Sequence, residues 1–250
     1  MAADGWRSIP IQECGDALVA IPAEPFAFTE PHPYVVLGAP YAGTVPWLLR
    51  RRVVDALVDA SRRLDVRQPG WRLKLFDAYR PLPVQAFMVW REFERQAALA
   101  GLSLVGFDGP DDLARRDPVG YARLAGIVFT FWGMPSEDAR TPPPHSTGAA
   151  IDLTLQDASG CELDLGCPID ETTPRAYPNH FADAARPEER AIHTRRQLLN
   201  DVMGAAGFSR HTHEWWHFSL GDQMAAFAKG EPAAVFGRAD DRRQAWVGRF

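Results

Sequence analysis

His213-Glu214-Trp215-Trp216-His217-Phe218-Ser219-Leu220 is the stretch on which the fold turns. Its first five residues satisfy H-E-x-x-H, in which a helix sets two histidines one turn apart on a metal ion and the glutamate activates water. Read that way, His213 and His217 are ligands, Glu214 is the base, and Glu231 or Asp240 must supply a third ligand. Two features favour a strand. The stretch is short and aromatic and closely follows Gly207, a helix-ending residue, and no histidine follows His217 to complete a helical site.

Upstream, the partner for such a strand is His145-Ser146-Thr147-Gly148-Ala149-Ala150-Ile151-Asp152. Residues 149–155 read as a strand with Ala150, Asp152 and Thr154 on one face and Ile151, Leu153 and Leu155 on the other. Thr141-Pro142-Pro143-Pro144 excludes regular helix or central strand, so His145 leaves a stiff loop. Two imidazoles and a carboxylate, His145, Asp152 and His217, suit a zinc ion and leave a fourth position open for water, with Glu214 as the base. Glu214 and His217 would face opposite sides of a regular strand, so this assignment requires a bend or bulge near Trp215. Among Trp215, Trp216 and Phe218, Glu214 should hold a proton more tightly than an exposed glutamate does. The two tryptophans read as core or cleft wall, and His180, His193, His211 and His213 as surface or supporting residues.

The remaining elements follow from periodicity and punctuation. Residues 71–76 alternate at period two, with Trp71, Leu73 and Leu75 on one face, and run into Asp77-Ala78-Tyr79-Arg80-Pro81. Arg80 thus stands at a strand exit, where clefts form. Helices are expected from Thr44 to about Leu64, from Pro83 to about Ala100, from Pro110 to Arg116, and from Pro187 to Gly207. Residues 18–21, 34–37 and 127–132 read as short strands, and 156–186, which carries Asp170, as turn-rich. The expected architecture is α+β. One domain spans 1–250, with a small, mostly antiparallel sheet carrying the metal site and helices flanking it. Residues 1–44 form an irregular N-terminal segment, and 221–250 read as a helix fragment followed by a tail of little pattern.

Composition narrows the partners. At 250 residues the chain can bury a substantial core, and 46% apolar with 24% charged residues is ordinary for a soluble protein. A formal charge of −5 argues against a nucleic-acid partner or an anionic membrane surface, and no apolar run is long enough to span a bilayer. Met1-Ala2-Ala3-Asp4-Gly5-Trp6-Arg7 lacks a basic segment followed by an apolar one, so a cytoplasmic location is expected. Cys14, Cys161 and Cys167, without CxxC spacing, read as buried free thiols, with a Cys161–Cys167 bridge left open as the alternative.

His145-x6-Asp152, Glu214-Trp215-Trp216-His217 and Asp77-Ala78-Tyr79-Arg80-Pro81 together resemble the zinc D-alanyl-D-alanine dipeptidases known from vancomycin resistance, with relatives among D,D- and L,D-peptidases. The likeness runs in order from about residue 71 to 220. It implies one zinc ion per chain on His145, Asp152 and His217, Glu214 as catalytic base, and Arg80 stabilising the transition state. It also implies that Asp170, in Leu165-Gly166-Cys167-Pro168-Ile169-Asp170, holds the free amino group of a small peptide substrate, D-alanyl-D-alanine or a similar dipeptide. Two positions depart from the resistance-type pattern. Pro143 replaces the serine of Ser-x-His, which bears on substrate choice more than on chemistry, and Ala78 replaces a glycine. Two other readings remain. One is a D,D- or L,D-carboxypeptidase acting on longer wall peptides, which an open groove would favour. The other is a non-catalytic zinc-binding domain, against which the scattered cysteines and the placing of Glu214 beside His217 both count.

Overall fold

The structure, a computed structural model, describes residues 5–239. Its strands are β1 (Leu18–Ala20), β2 (Ala27–Phe28), β3 (Leu48–Arg50), β4 (Arg72–Asp77), β5 (Ala150–Gln156), β6 (Ser209–Arg210) and β7 (His217–Ser219). Its α-helices are α1 (Pro33–Val36), α2 (Arg51–Arg67), α3 (Leu82–Leu99), α4 (Pro110–Arg116), α5 (Pro118–Phe131), α6 (Pro187–Ala205) and α7 (Gln223–Lys229). β1 and β3 form an antiparallel pair. The other strands form a sheet in the order β2-β4-β5-β7-β6, antiparallel except where β2 runs alongside β4. The α+β class and the mostly antiparallel sheet are as expected.

The alternation along β5 separates core from cleft. Ile151, Leu153 and Leu155 are wholly buried in the largest apolar cluster. There they meet Leu73 and Leu75 of β4, Val53, Leu57 and Leu64 of α2, and Leu199 and Val202 of α6. Truncating a leucine in such a core typically costs about 2–5 kcal/mol. A second cluster joins α3 to α5 through Val84, Val89, Phe93, Leu124 and Val128. Asp152 faces away from Ile151 and Leu153, toward the side where the candidate site forms.

Prolines set most helix starts, where a missing N–H is harmless: α3, α4, α5 and α6 each carry one in the first turn. Three expected elements differ. Residues 127–132 are not a strand. Asp117 caps Gly120 N at 2.9 Å and Pro118 follows, so the helix is already running when the aromatic residues arrive, and Leu124 and Val128 share its buried stripe. Residues 34–37 are not a strand either: His32 Nδ1 accepts from Tyr34 N at 3.3 Å and Pro33 opens α1. The helix expected from Thr44 begins only at Arg51, because residues 48–50 pair with β1 first.

The decisive stretch is a strand only at His217–Ser219. Residues 211–216 are irregular, so the bend required near Trp215 is present and H-E-x-x-H does not lie on a helix. Cys14 and Cys161 are exposed and Cys167 is part-buried; all three are free, which corrects the expectation of buried thiols. The helix fragment expected in the C-terminal stretch is α7, and the residues after it are tied to the rest of the chain. α7 is capped by Asp222, and Arg50 donates to Gly237 O at 3.0 Å as well as to Thr147 O at 2.8 Å. Residues 240–250, including Asp240, lie outside the described residues, as do residues 1–4. Among the described residues no helix is long and apolar enough to cross a membrane.

Gly148 closes the turn that carries His145, at φ 70°, in the left-handed region. A Cβ there would lie 2.3 Å from Leu18 Cδ2. Gly148→Ala is therefore expected to destabilise the protein by about 2–4 kcal/mol, combining left-handed strain with overpacking. Thermal unfolding in the presence of chelator should show Tm lower by roughly 5–15 °C. An unchanged Tm would mean that the turn is not constrained as described.

Candidate active site

Each candidate side chain is delivered by a different element, and all of them line one cavity of about 630 Å³: Arg80, His145, Asp152, Asp170, Glu214 and His217. Asp152 lies directly across the sheet from His217, their Cα positions paired between β5 and β7. On the other side of β5, Leu75 pairs with Leu153 but Asp77 pairs with Asp152, so Phe76 is an extra residue in β4. This bulge turns Asp77 to the cleft side. Asp77, Asp152 and His217 consequently form one row across three strands.

His145 sits on a short 3-10 turn, Pro144–Thr147, stitched to the exit of β4. Ser146 Oγ donates to Arg80 O at 2.7 Å, and Arg80 N to His145 O at 3.3 Å. His145 Nδ1 lies 2.7 Å from Ala78 O, which can only accept, so Nδ1 carries the proton and the Nε2 lone pair faces the cleft. Nε2 is 3.2 Å from His217 Nδ1 and 3.1 Å from Asp152 Oδ2, and His217 Nδ1 is 3.0 Å from Asp152 Oδ1. Behind His217, Nε2 lies 3.3 Å from Ser219 Oγ. His145, Asp152 and His217 thus present three buried donor atoms within 4.8 Å of one another, an arrangement that can hold a metal ion.

Glu214, brought in by the irregular segment, has Oε2 3.7 Å from His217 Nδ1 and 3.6 Å from His211 Nδ1. Burial pushes its proton affinity well above that of an ordinary glutamate, and the Asp152 and Asp170 charges add to the effect. Asp152 responds oppositely. Burial alone would raise its pKa, but the His145 and His217 imidazoles outweigh burial and hold it below the usual carboxylate range.

Arg80 is buried and almost fully engaged. Nη2 is 2.8 Å and Nε 3.0 Å from Asp77 Oδ2, Nη1 donates to Gln85 Oε1 at 2.8 Å, and Nη2 is 3.4 Å from Asp152 Oδ2. The Tyr34 and Trp132 rings lie 5.0 and 5.2 Å from its guanidinium carbon. Asp170 lines the same cavity, its backbone in the left-handed region at φ 68°. The Tyr34 hydroxyl donates to its carboxylate, 3.0 Å from each oxygen, and Arg80 Nη2 donates to the same hydroxyl at 3.3 Å. Burial, reinforced by the charge on Asp152, pushes Asp170 up to about 7.

Several supporting residues escaped the sequence analysis. His32, whose Nε2 is 3.1 Å from Asp77 Oδ1, lies in the irregular N-terminal segment, and Tyr34 at the start of a stretch that reads as a short strand. Trp132 ends a stretch whose composition favours a strand, and Gln85 is one polar residue on an amphipathic helix. His32-Pro33-Tyr34, where His32 caps α1 and Pro33 opens it, is the local signal, and it marks a helix start rather than a site. His211, expected in a surface or supporting place, stands beside both Glu214 and His217, with rings 5.5 Å apart for the two histidines.

Comparison with known proteins shows the family. A family model described as Peptidase_M15, D-ala-D-ala dipeptidase, matches residues 27–233. A D-alanyl-D-alanine dipeptidase of Synechocystis sp. is 40% identical over 228 residues, covering 89% of each chain. The Escherichia coli D-alanyl-D-alanine dipeptidase is 31% identical over 167 residues, covering 66% of this chain and 64% of that one. Among solved structures, the LdcB LD-carboxypeptidase aligns over 87% of this chain and 73% of its own, with a TM-score of 0.42 and 17% identity. The chain belongs to the M15 peptidases, the D-ala-D-ala dipeptidase family of metallopeptidases.

Proposed function

We propose that this protein is a zinc-dependent dipeptidase that hydrolyses D-alanyl-D-alanine or a similarly small dipeptide with a free amino group. The observation that carries the reading is the convergence of His145 Nε2, Asp152 and His217 Nδ1 with Glu214 at their edge and Asp170 and Arg80 in the same cavity. The donors fit zinc. A tetrahedral site with ligand distances of about 2.0–2.1 Å places neighbouring donors about 3.4 Å apart, close to the 3.0–3.2 Å separations found here. Both histidines also have partners behind them, Ala78 O and Ser219 Oγ, of the kind that orient metal-binding imidazoles. His145, Asp152 and His217 would hold the ion, which supplies Lewis-acid activation of water and of the scissile carbonyl at neutral pH.

The remaining chemistry falls to the chain's own side chains. Glu214, desolvated and with raised proton affinity, takes a proton from the attacking water and passes it to the leaving amine. Asp170, 3.0 Å from the Tyr34 hydroxyl, holds the substrate's ammonium. Arg80 places a fixed positive charge beside the carbonyl as it acquires negative charge, and Asp77, Gln85 and Tyr34 keep that charge from moving. The three free cysteines fit a reducing compartment, in keeping with a cytoplasmic location. A cavity of about 630 Å³ has room for more than two alanines, so cleavage of longer wall peptides is the second reading.

A panel of D- and L-dipeptides and a wall pentapeptide, assayed with and without chelator, tests both readings. Hydrolysis confined to dipeptides, lost on chelation and restored by one equivalent of zinc, is the expected result; preference for the pentapeptide would favour the second reading. Glu214→Gln should retain stoichiometric zinc while kcat falls by about 10²–10⁴, and near-parental turnover would remove Glu214 from the base role. Asp170→Asn should raise KM for D-alanyl-D-alanine, by about 10-fold or more, with zinc content unchanged. In chelator, the same substitution should also reveal the linkage of Asp170. Its pKa rises from 3.8 unfolded to about 7 folded, so wild-type stability falls as pH rises between those values and the deficit is complete above them. The Tm gain of Asp170→Asn over wild type should therefore be larger at pH 8 than at pH 5; a pH-independent difference would contradict the raised pKa.

A further inference from the structure

Arg196, on α6, is completely buried, and among the described residues its hydrogen-bond partners are backbone carbonyls and a thiol rather than a carboxylate. Nε donates to Leu165 O at 2.7 Å, Nη1 to Tyr177 O at 2.9 Å and Nη2 to Arg175 O at 2.9 Å, with Cys167 Sγ 3.7 Å from Nη2. The Phe181 and Trp215 rings lie 4.9 and 5.3 Å from the guanidinium carbon. Burial lowers its pKa to about 10, so it remains charged at neutral pH. A buried cation without a counter-charge is a costly way to fill space, and a leucine or glutamine would fill it more cheaply. What the guanidinium offers instead is a rigid fork that reaches carbonyls in several directions at once.

Those carbonyls lie on both arms of one loop, residues 165–177, whose tip carries Asp170 and Thr172, both lining the cavity. The loop is held tightly elsewhere too. Gly166 runs so close to Phe181 that a Cβ would lie 2.4 Å from its Cε2, and Arg175 Nη2 donates to Gly166 O at 2.5 Å. At its far end Trp215 N donates to Ala176 O at 3.0 Å, one residue from Glu214. Asp170 itself adopts a left-handed backbone that a non-glycine residue keeps only when its surroundings impose it.

We infer that Arg196 is a positioning residue for the reaction: by gripping both arms of the 165–177 loop, its guanidinium sets where Asp170 stands relative to Glu214. The inference rests on the proposed role of Asp170 at the substrate's amino group.

The test is a double-mutant cycle. Arg196→Lys and Arg196→Gln are made alone and with Asp170→Asn, and zinc content, kcat and KM for D-alanyl-D-alanine are measured for each. Zinc should stay at one per chain, because His145, Asp152 and His217 lie on other elements. KM should rise about 10-fold or more in Arg196→Gln, with kcat falling less, since displacement of a binding group by about 1 Å is enough for such losses. Arg196→Lys, which keeps the charge and the stem, should recover part of the loss. In the Asp170→Asn background either substitution should change KM less than about 2-fold, the non-additivity expected of residues acting as a unit. Unchanged KM in the single variants, or effects that simply multiply in the double variants, would overturn the inference and leave Arg196 with stability alone. Should Arg196→Gln fail to fold, the lysine variant carries the same cycle. Wild-type protein inert toward every dipeptide would overturn the functional reading and this inference together, whereas active wild type with multiplying effects overturns this one alone.

Discussion

Four carboxylates, Asp77, Asp152, Asp170 and Glu214, share the field of a single buried guanidinium, Arg80. Removing that many acids from water is tolerable only if each meets a cation, a strong donor or a proton. Asp77 takes the guanidinium itself, and Asp152 takes two imidazoles. Asp170 and Glu214 are left with less, and both bind protons more tightly than exposed acids do. The cavity is thus short of positive charge on the side of Asp152, where three donor atoms converge, and at Asp170, where the Tyr34 hydroxyl is the donor. A divalent ion at the first place and a substrate ammonium at the second would each answer that shortage.

This electrostatic arrangement depends on strand register. Because side chains alternate, a slip of one residue between β5 and β7 would turn His217 away from Asp152 and onto the core face with Ile151 and Leu153, and would turn Phe218 out of the core. The apolar stripe on the core face fixes the register, so the core-forming residues and the metal-site residues constrain one another. The bulge at Phe76 does the same for β4, turning Asp77 into the row and with it the Arg80 that follows three residues later.

Around this row the fold supplies groups from distant parts of the chain. Tyr34 arrives on α1 and joins Arg80 to Asp170, and Trp132 arrives at the end of α5 to cover the guanidinium. The 165–177 loop is carried on α6 through Arg196. Each of these contacts restrains a polar group that would otherwise be free to swing, which is the requirement for stabilising charge as it develops rather than after it has formed.

Sequence alone determined a good deal. The period-two pattern of residues 149–155 and 71–76 placed Asp152 and Arg80, because alternation decides which face a side chain takes wherever one face must be buried. The mismatch between Glu214 and His217 on a regular strand demanded a bend, and the chain does bend there. Residues 34–37 and 127–132 are a different case: they look like strands by composition, but the local caps at His32 and Asp117 and the prolines that follow them start helices there, a signal present in the sequence. Tertiary structure decided what local pattern could not. The bulge at Phe76, the joining of Tyr34 to Asp170 across 136 positions, and the grip of Arg196 on three carbonyls leave no local trace. Their reason is the same in each case: a buried polar group must find partners somewhere in space, and the chain does not specify where until it has folded.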